Sequence, residues 1–389
     1  MKVLVVDDDA LSLRLLSALV ERLGHEPIAA PDGLAAWALF EQHRCGVVIS
    51  DWNMPGLDGI GLLKRIRAAS GDGYTYFIML TARSEREDVS AGMAAGADDL
   101  LTKPVSRDDL AARLNVGQRI VLLQREVAGR NLELMSANTR MRQDLEVAAR
   151  VQESLLPSAP PQVPGMSFAW AYRPCEDLGG DTLGLFHLDD RHLGFYVLDV
   201  SGHGVPSALL AVQASRSLAP MASGGLLVRD GVATPPREVV RALNRLYPMN
   251  SAVLQFFTII YGIYDLQAHR LRMVSAGHPG PIVVGPDGAR CINLSGHPIG
   301  CLPDGEAEFD EVELDLARGE RLVFYSDGAY EAASPGGEQF GMVRLATLIA
   351  GSAGEPNGDL NGVLAGLERW RGGARAADDI TFLVIARDG

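Results

Sequence analysis

The sequence predicts an α/β doubly wound domain with a parallel sheet, then one long helix, then an α+β sandwich domain. Residues 1–115 alternate continuous apolar runs with helical patterns, which is typical of a parallel sheet covered on both faces. Residues 116–156 contain no proline and keep apolar side chains at spacings of three and four. Residues 157–389 are rich in strand patterns with inserted helices, which favours an α+β sandwich over a second doubly wound sheet.

The elements of the first domain follow from its apolar runs. We predict strands at 2–6, 26–30, 46–50, 76–80 and 99–102, with helices at 10–22 and 34–42. In doubly wound sheets, ligands bind beyond the carboxyl ends of the strands. The polar residues that fall at those ends are Asp7, Asp8, Asp51, Thr81 and Lys103.

The region 116–156 is predicted to be a helical linker with an imperfect apolar seam. The seam consists of Ile120, Leu123, Val127, Leu134, Met141, Leu145, Ala148 and Leu155. Asn131, Asn138 and Gln152 interrupt it, and buried asparagines would suit the setting of a register. A stripe of this kind fits either a parallel coiled coil, and hence a homodimer, or a helix that packs on its own domains. We expect the homodimer.

PSAPPQVPG at 157–165 ends the helix, since proline cannot continue it. We predict strands at 168–173, 185–188, 194–200, 257–265, 271–275, 281–284, 321–325 and 380–386. Helices are expected at 206–219, 236–247, 342–350 and 361–371, and surface loops near 221–236 and 351–359.

Composition restricts the partners. A formal net charge of −14 argues against nucleic acid and against anionic membranes. No apolar run approaches the roughly 20 residues that span a bilayer, and the N-terminus is not a signal peptide. Four cysteines without metal-ligand spacing indicate reduced, buried thiols and a cytoplasmic protein.

Three carboxylates are expected at one edge of the first domain. Asp7 and Asp8 follow the first strand, and Asp51 follows the third. Such charges repel each other unless a cation lies among them, and Mg²⁺ binds carboxylates together with phosphate oxygens. One carboxylate can then attack a phosphoryl donor and form an aspartyl phosphate. Lys103 supplies a counter-charge, and the Thr81 hydroxyl can hydrogen-bond a new phosphoryl oxygen.

Residues 1–115 resemble the receiver domain of two-component response regulators. VVDDD, ISDWNMPGLDG, LTA and KP occur in that order, at 5–9, 49–59, 80–82 and 103–104. The resemblance implies that Asp51 accepts a phosphoryl group from a sensor histidine kinase. It also implies that Asp7, Asp8, Asp51 and the Asn53 carbonyl hold Mg²⁺, and that Thr81 and Lys103 act as the switch. Leu100 stands where such domains usually carry a tyrosine or phenylalanine that repositions on activation.

A second set of four aspartates is predicted near the C-terminal ends of strands in the last domain. Asp181, Asp199, Asp327 and Asp378 lie in turns of small residues, namely GGD, DVSGHG, SDG and DDIT. Clustered carboxylates with little competing bulk suit hard divalent cations. Two such cations would neutralise a phosphoryl group during an in-line displacement.

These motifs, with AARVQESLLP at 148–157, SAGHPGP at 275–281 and YSDGAYEA at 325–332, resemble the metal-dependent PPM family of serine/threonine phosphatases. The likeness is to the bacterial branch that acts on anti-sigma-factor antagonists. It implies a four-layer β-sandwich with two Mn²⁺ or Mg²⁺ ions. Asp199 would bridge both ions, the Val200 carbonyl would add a ligand, and Asp181, Asp327 and Asp378 would supply the other carboxylates. Leu183 and Gly184 depart from a pattern in which aromatics and another acid are frequent.

The resemblances together predict a response regulator whose Asp51 phosphorylation controls a phosphoserine/phosphothreonine phosphatase. The expected substrate is a STAS-type anti-sigma-factor antagonist. The alternatives are a non-catalytic adaptor that binds a sigma factor or its regulator, and a phosphatase that is independent of its receiver. His203 and His278 are either general acids or plain loop histidines. Asp379 is expected to make hydrogen bonds rather than to bind a metal.

Overall fold

The computed structural model describes residues 1–69, 73–82, 92–220, 225–248, 255–352 and 356–388. The chain forms two compact units, Met1–Arg140 and Met141–Gly389. In the described ranges, no helix is both long enough and apolar enough to cross a membrane.

The first unit contains a five-stranded parallel sheet in the order β2-β1-β3-β4-β5. The strands are β1 Lys2–Val6, β2 Glu26–Ala30, β3 Val47–Asp51, β4 Tyr76–Thr81 and β5 Asp99–Thr102. The helices are α1 Ala10–Arg22, α2 Gly33–His43 and α3 Gly59–Ala69. The predicted doubly wound α/β class is confirmed.

Both faces of this sheet are covered, which explains the continuous apolar runs. Leu4, Val48 and Phe77 pack with Phe40 and Leu62 in one core cluster. Alternate strand residues, such as Val5, Ile49 and Ile78, pack in the other cluster with α1. Because successive side chains point to opposite faces of a strand, a strand that is buried on both faces carries apolar residues at nearly every position.

The long helix α4 runs without a break over Arg107–Glu153. It begins earlier than the predicted linker, because the residues after Ser106 already belong to the core of the first unit. Leu110, Leu114 and Val121 are buried there. Gly117 lies against the ring of Tyr76, where a larger residue would collide with it. The last helix of the predicted receiver and the predicted linker are therefore one element.

The second unit has two five-stranded sheets, in the orders β15-β12-β11-β8-β7 and β14-β13-β16-β17-β6, and their described pairings are antiparallel. Its strands are β6 Met166–Arg173, β7 Thr182–His187, β8 His192–Val200, β9 Val228–Arg229, β10 Val232–Ala233, β11 Phe257–Asp265, β12 Arg270–Ala276, β13 Ile282–Gly285, β14 Gly288–Cys291, β15 Glu311–Asp315, β16 Arg321–Tyr325 and β17 Ile380–Arg387. Its helices are α5 Val205–Ser217, α6 Pro236–Leu246, α7 Gly328–Glu331, α8 Met342–Gly351 and α9 Pro356–Arg371.

Three apolar clusters divide this unit into layers. The middle cluster joins the facing sides of the two sheets and includes Phe195 and Phe324, whose ring centroids are 4.9 Å apart. A second cluster lies between the first sheet and the helices α5 and α6. The third lies between the other sheet and the helices α8 and α9. The order helix, sheet, sheet, helix confirms the predicted four-layer sandwich.

Some local predictions were wrong. The loop predicted near 351–359 is helical from Pro356 onward, and the one near 221–236 contains the short β9–β10 hairpin. Residues 221–224 and 353–355 of those loops lie outside the described residues. The cysteines are free as expected, but Cys291 is exposed and Cys301 only half-buried, so burial holds for Cys45 and Cys175 alone.

Candidate functional site

The first acidic cluster lies at the carboxyl edge of the parallel sheet. Asp7 follows β1 and Asp51 ends β3, and these two strands are parallel neighbours. Carboxylate oxygens of Asp7, Asp8 and Asp51 lie within 4.8 Å of one another. Three carboxylates that the sequence placed on two different strands are therefore brought together.

Lys103 joins this cluster from the end of β5. Its Nζ donates to Asp7 Oδ2 at 2.7 Å and to Asp51 Oδ2 at 2.8 Å. Burial alone would lower the pKa of Lys103, but the hydrogen bonds and charges of Asp51 and Asp7 outweigh it and raise the pKa. The lysine is therefore a fixed ammonium ion, as the predicted counter-charge requires.

The remaining predicted residues of this edge surround the same cluster. Thr81 ends β4 with a buried side chain, and its carbonyl accepts from the Lys103 backbone N–H at 2.9 Å. Asn53 is exposed, two residues after Asp51. Three carboxylates against one ammonium ion leave two negative charges, and a divalent, oxygen-seeking cation fits this donor set. Mg²⁺ held there by the predicted residues would neutralise a phosphoryl donor.

The second acidic cluster gathers at the facing ends of the two antiparallel sheets. Asp199 is the next-to-last residue of β8, and Asp327 follows β16. Asp181 and Asp378 instead lie just before β7 and β17, so the prediction of strand ends was wrong for these two. Because neighbouring strands run antiparallel, the start of one lies beside the end of the next. The four carboxylates therefore still converge.

Burial and mutual repulsion raise the pKa of each of these carboxyls. Burial, followed by the charges of Asp327 and Asp378, raises the pKa of Asp199 from 3.8 to about 7. Burial and the charge of Asp378 raise the pKa of Asp327 to about 6. Asp181 is fully enclosed, and burial followed by Asp199 raises its pKa well above 3.8. Burial also raises the pKa of Asp378. Such a set is stable in ionised form only with cations among it.

One oxygen of Asp181 has no partner among the described residues. Its Oδ2 atom is buried and accepts no hydrogen bond of acceptable geometry from them, although the hydroxyls of Thr381 and Ser326 face the carboxyl and lower its pKa. An unpaired buried carboxylate oxygen is costly and is rare in folded proteins. Its presence among three other carboxylates fits a site that binds divalent cations.

Asp379 holds the loop that carries Asp181. Its carboxylate accepts hydrogen bonds from the backbone N–H groups of Cys175 at 2.7 Å, Gly180 at 2.6 Å and Asp181 at 3.3 Å. The expected hydrogen-bonding role is confirmed. Cys175, Asp378 and Asp379 also offer ligand atoms within 4.8 Å of one another. Burial raises the pKa of the Cys175 thiol to about 12, however, so this thiol stays protonated and is a poor metal ligand.

Gln152 is a residue of this site that sequence reasoning missed. Its side chain is 6% exposed, donates from Nε2 to the Gly179 carbonyl at 2.5 Å and accepts from the Gly179 N–H at 3.3 Å. The predicted coiled-coil seam treats Gln152 only as an interruption. The available signal was a polar residue within an apolar stripe, just before the PSAPP segment that ends the helix.

The histidines differ from each other in environment. His203 is 61% exposed at the side chain, with Nδ1 3.0 Å from Glu176. His278 is buried, its Nδ1 lies 2.9 Å from Thr258 Oγ1, and burial lowers its pKa to about 3. His278 is therefore neutral at physiological pH and does not serve as a proton donor in the imidazolium form.

The two departures from the phosphatase pattern are explained by packing. Leu183 is buried between the two sheets. Gly184 lies under the ring of Tyr196, and a β-carbon at this position would collide with that ring. Tyr196 in turn donates to Ser215 Oγ at 3.1 Å. An acidic side chain at position 184 would have to displace a buried tyrosine.

Comparison with known proteins finds relatives of both units. The family described as stage II sporulation protein E matches residues 189–388, and the response regulator receiver domain matches residues 3–115. The chain is 45% identical to the virulence sensor protein BvgS of Bordetella pertussis over 120 residues. This match covers 30% of this chain and 10% of BvgS. The chain is 26% identical to the phosphoserine phosphatase RsbP of Bacillus subtilis over 248 residues. This match covers 63% of this chain and 58% of RsbP. The chain thus spans a small part of the first relative and more than half of the second.

A solved structure supports the fold of the second unit. The SiaA-PP2C domain of Pseudomonas aeruginosa superposes with a TM-score of 0.56 at 20% identity, covering 66% of this chain and 100% of that domain. At this identity the likeness concerns the fold alone.

Proposed function

The chain belongs to the stage II sporulation protein E family and carries a response regulator receiver domain, and from this premise we propose that it is a metal-dependent protein phosphatase under receiver control. The observation that carries the proposal is the convergence of Asp181, Asp199, Asp327 and Asp378, whose pKa values are all raised. Aspartates kept for structure alone would be paired with cations or N–H groups instead.

Each residue of the site has a separate task in this proposal. Asp181, Asp199, Asp327 and Asp378, with the Val200 carbonyl, would hold two divalent metal ions, and Asp199 is the residue proposed to be shared between them. Two divalent ions bound there would neutralise the phosphoryl group and activate water. Asp379 fixes the loop before Asp181 through its three accepted hydrogen bonds. No side chain is needed as nucleophile, and His278 cannot donate a proton as an imidazolium ion, because burial lowers its pKa to about 3.

We propose that Asp51 accepts the phosphoryl group, from a sensor histidine kinase in the cytoplasm. Its Oδ1 accepts from the Trp52 N–H at 2.8 Å, which orients the carboxylate, while Oδ2 is held by Lys103. Phosphorylation would place extra negative charge beside Lys103 and the Thr81 hydroxyl, the two predicted switch residues. Asp7, Asp8 and the Asn53 carbonyl would hold the Mg²⁺ ion.

The proposed substrate is a phosphoserine or phosphothreonine protein, of the STAS-type anti-sigma-factor antagonist class. Support comes from the similarity to RsbP, which is a phosphoserine phosphatase. It also comes from the sequence motifs shared with the phosphatases that act on such antagonists.

We also propose a homodimer through residues 116–156. Beyond the part of α4 buried in the first unit, apolar side chains are exposed, with Leu123 at 50%, Val127 at 53%, Leu134 at 68% and Met141 at 60%. Solvent exposure of a seam this long is unfavourable, and a second copy of the helix would cover it. Sedimentation equilibrium of the full chain tests this proposal, and a monomer at micromolar concentration would contradict it.

The test of the enzyme proposal is hydrolysis of p-nitrophenyl phosphate with Mn²⁺, with and without beryllofluoride to mimic phosphorylated Asp51. We expect Mn²⁺-dependent turnover that Asp327→Ala removes, which excludes a contaminating phosphatase. A change of turnover with beryllofluoride gives the direction of control. Absence of turnover together with absence of Mn²⁺ binding in calorimetry would reject the phosphatase and favour a non-catalytic adaptor.

A further inference from the structure

A cavity of about 590 Å³ opens beside two of the proposed metal ligands. Asp199 and Asp327 form part of its lining, so the cavity is continuous with the proposed catalytic centre. The rest of the lining comes from the segments 277–280 and 291–294 and from Thr258, Tyr325, Tyr330 and Met342. Pockets that enclose whole small molecules have volumes of roughly 300–1,000 Å³. The space therefore exceeds what a phosphoryl group alone requires.

The walls away from the aspartates include apolar side chains that belong to both neighbouring core clusters. Ile292 and Leu294 are half-buried and pack on the core between the sheets. Tyr330 and Met342 are half-buried on the opposite core cluster. Among the described lining residues, charge is carried by Asp199 and Asp327, which bound cations would neutralise. The remainder of the cavity is suited to an uncharged ligand.

His278 contributes a polar but uncharged side chain to the lining. It is 3% exposed, and its Nδ1 is bonded to Thr258. Its Nε2 is enclosed by protein and has no hydrogen bond of acceptable geometry among the described residues, although the Tyr325 backbone interacts with the ring. Burial lowers the pKa of His278 to about 3, so this side chain adds no charge to the cavity.

We propose that this cavity binds the segment of the protein substrate next to its phosphoserine or phosphothreonine, and that it selects an uncharged segment with an apolar side chain. The inference rests on the proposed phosphatase function. A serine side chain is short, so its backbone must come close to the metal centre when its phosphate is held there. The neighbouring residue then enters the cavity that Asp199 and Asp327 share with Ile292, Leu294 and Met342.

The first test compares substrates on the full chain with Mn²⁺. Met342→Glu places a charge in the apolar wall, and Val343→Glu is the matched control, since Val343 is 82% exposed and outside the lining. We expect Met342→Glu to lower kcat/KM about tenfold for a phosphoserine peptide with leucine on both sides of the phosphoserine. The value for the same peptide with aspartate on both sides should change by less than about twofold, because the cavity does not select charged neighbours. Equal losses on both substrates, or an equal effect of Val343→Glu, would overturn the proposal.

The second test does not depend on turnover. Cys291 is exposed and lines the cavity, so N-ethylmaleimide should modify it, and half-buried Cys301, outside the lining, serves as an internal reference. A non-hydrolysable phosphonate peptide with leucine neighbours should slow modification of Cys291 at least threefold. The same peptide with aspartate neighbours should not, and Cys301 should be unaffected by either.

These measurements separate the two hypotheses. Protection of Cys291 without turnover of any substrate would reject the enzyme and keep the binding site. Turnover of p-nitrophenyl phosphate with neither protection nor preference between the two peptides would keep the enzyme and overturn the binding site.

Discussion

Replacement of Gln152 by leucine is expected to damage the metal site from a distance. Leucine keeps most of the side-chain bulk but removes both hydrogen bonds to Gly179, at 2.5 and 3.3 Å. The N–H and carbonyl of buried Gly179 are then left without their partner. Each buried, unsatisfied group costs about 1–3 kcal/mol, so with two such groups we expect the second unit to lose about 2–6 kcal/mol of unfolding free energy.

The effect on metal binding follows from the position of Gly179, two residues before Asp181. The loop is held on one side by Asp379 and on the other by Gln152. Without Gln152, the loop before Asp181 keeps the Asp379 contacts but loses its support on the other side. Loss of a group that orients a metal ligand typically costs 10- to 100-fold in metal affinity. We expect a weakening of Mn²⁺ binding in this range.

Calorimetric titration of the full chain with Mn²⁺, together with thermal unfolding, measures both effects. Gln143→Leu is the matched control, because Gln143 is exposed on the same helix. It should leave Mn²⁺ affinity and the unfolding temperature unchanged. If Gln152→Leu binds Mn²⁺ as tightly as the unaltered protein, the contact with Gly179 does not position Asp181, and this reasoning fails.

Three further predictions concern the two acidic clusters. Asp51→Asn should leave basal Mn²⁺-dependent turnover within about twofold and abolish any response to beryllofluoride; a response that persists would contradict the role of Asp51. The pKa values of Asp199 and Asp327, raised to about 7 and about 6, mean that the folded metal-free protein favours the protonated carboxyls. It should therefore lose thermal stability as the pH rises from about 4 to 7, and Mn²⁺ should reverse this loss and release protons when it binds at pH 6. A calorimetric proton balance of zero at pH 6 would contradict that sign. Gly184→Asp should destabilise the second unit by about 1–3 kcal/mol or more in denaturant titrations, because the new side chain collides with Tyr196; Gly362→Asp, with open space around it, should have little effect.

The sequence predicts best those strands that are buried on both faces, because nearly every residue in them is apolar. The parallel strands are apolar throughout because both faces are covered, and their positions were correct within about one residue. The strands β14 and β15 were missed because they are largely solvent-facing: all of β14 is exposed and β15 has no buried residue. Such strands have no apolar pattern, and their pairing with β13 and β12 is set by neighbours distant in sequence.

The sequence predicts the candidate metal ligands but not the residues that hold those ligands in place. Asp181, Asp199, Asp327 and Asp378 stand in turns of small residues, which local sequence shows. The contact of Gln152 with Gly179 spans 27 residues, and that of Asp379 with Gly180 spans 199. No local pattern encodes a hydrogen bond over such a separation, because it depends on how the two sheets meet.

These supports bear on how phosphorylation at Asp51 would reach the second acidic cluster. The helix α4 contributes Leu110 and Leu114 to the core of the first unit and Gln152 to the loop before Asp181. Asp199, Asp327 and Asp378 have no described hydrogen bond to that helix, so among the four aspartates its effect should fall on Asp181. A switch from 1:99 to 99:1 requires about 5.5 kcal/mol of differential stabilisation. The roughly 2–6 kcal/mol assigned to the Gln152 contact is of the same order. Making or breaking the Gln152–Gly179 contact would therefore supply much of the differential stabilisation that the switch requires. The contact would act by changing the metal affinity at Asp181 and would leave the chemistry of the phosphate unchanged.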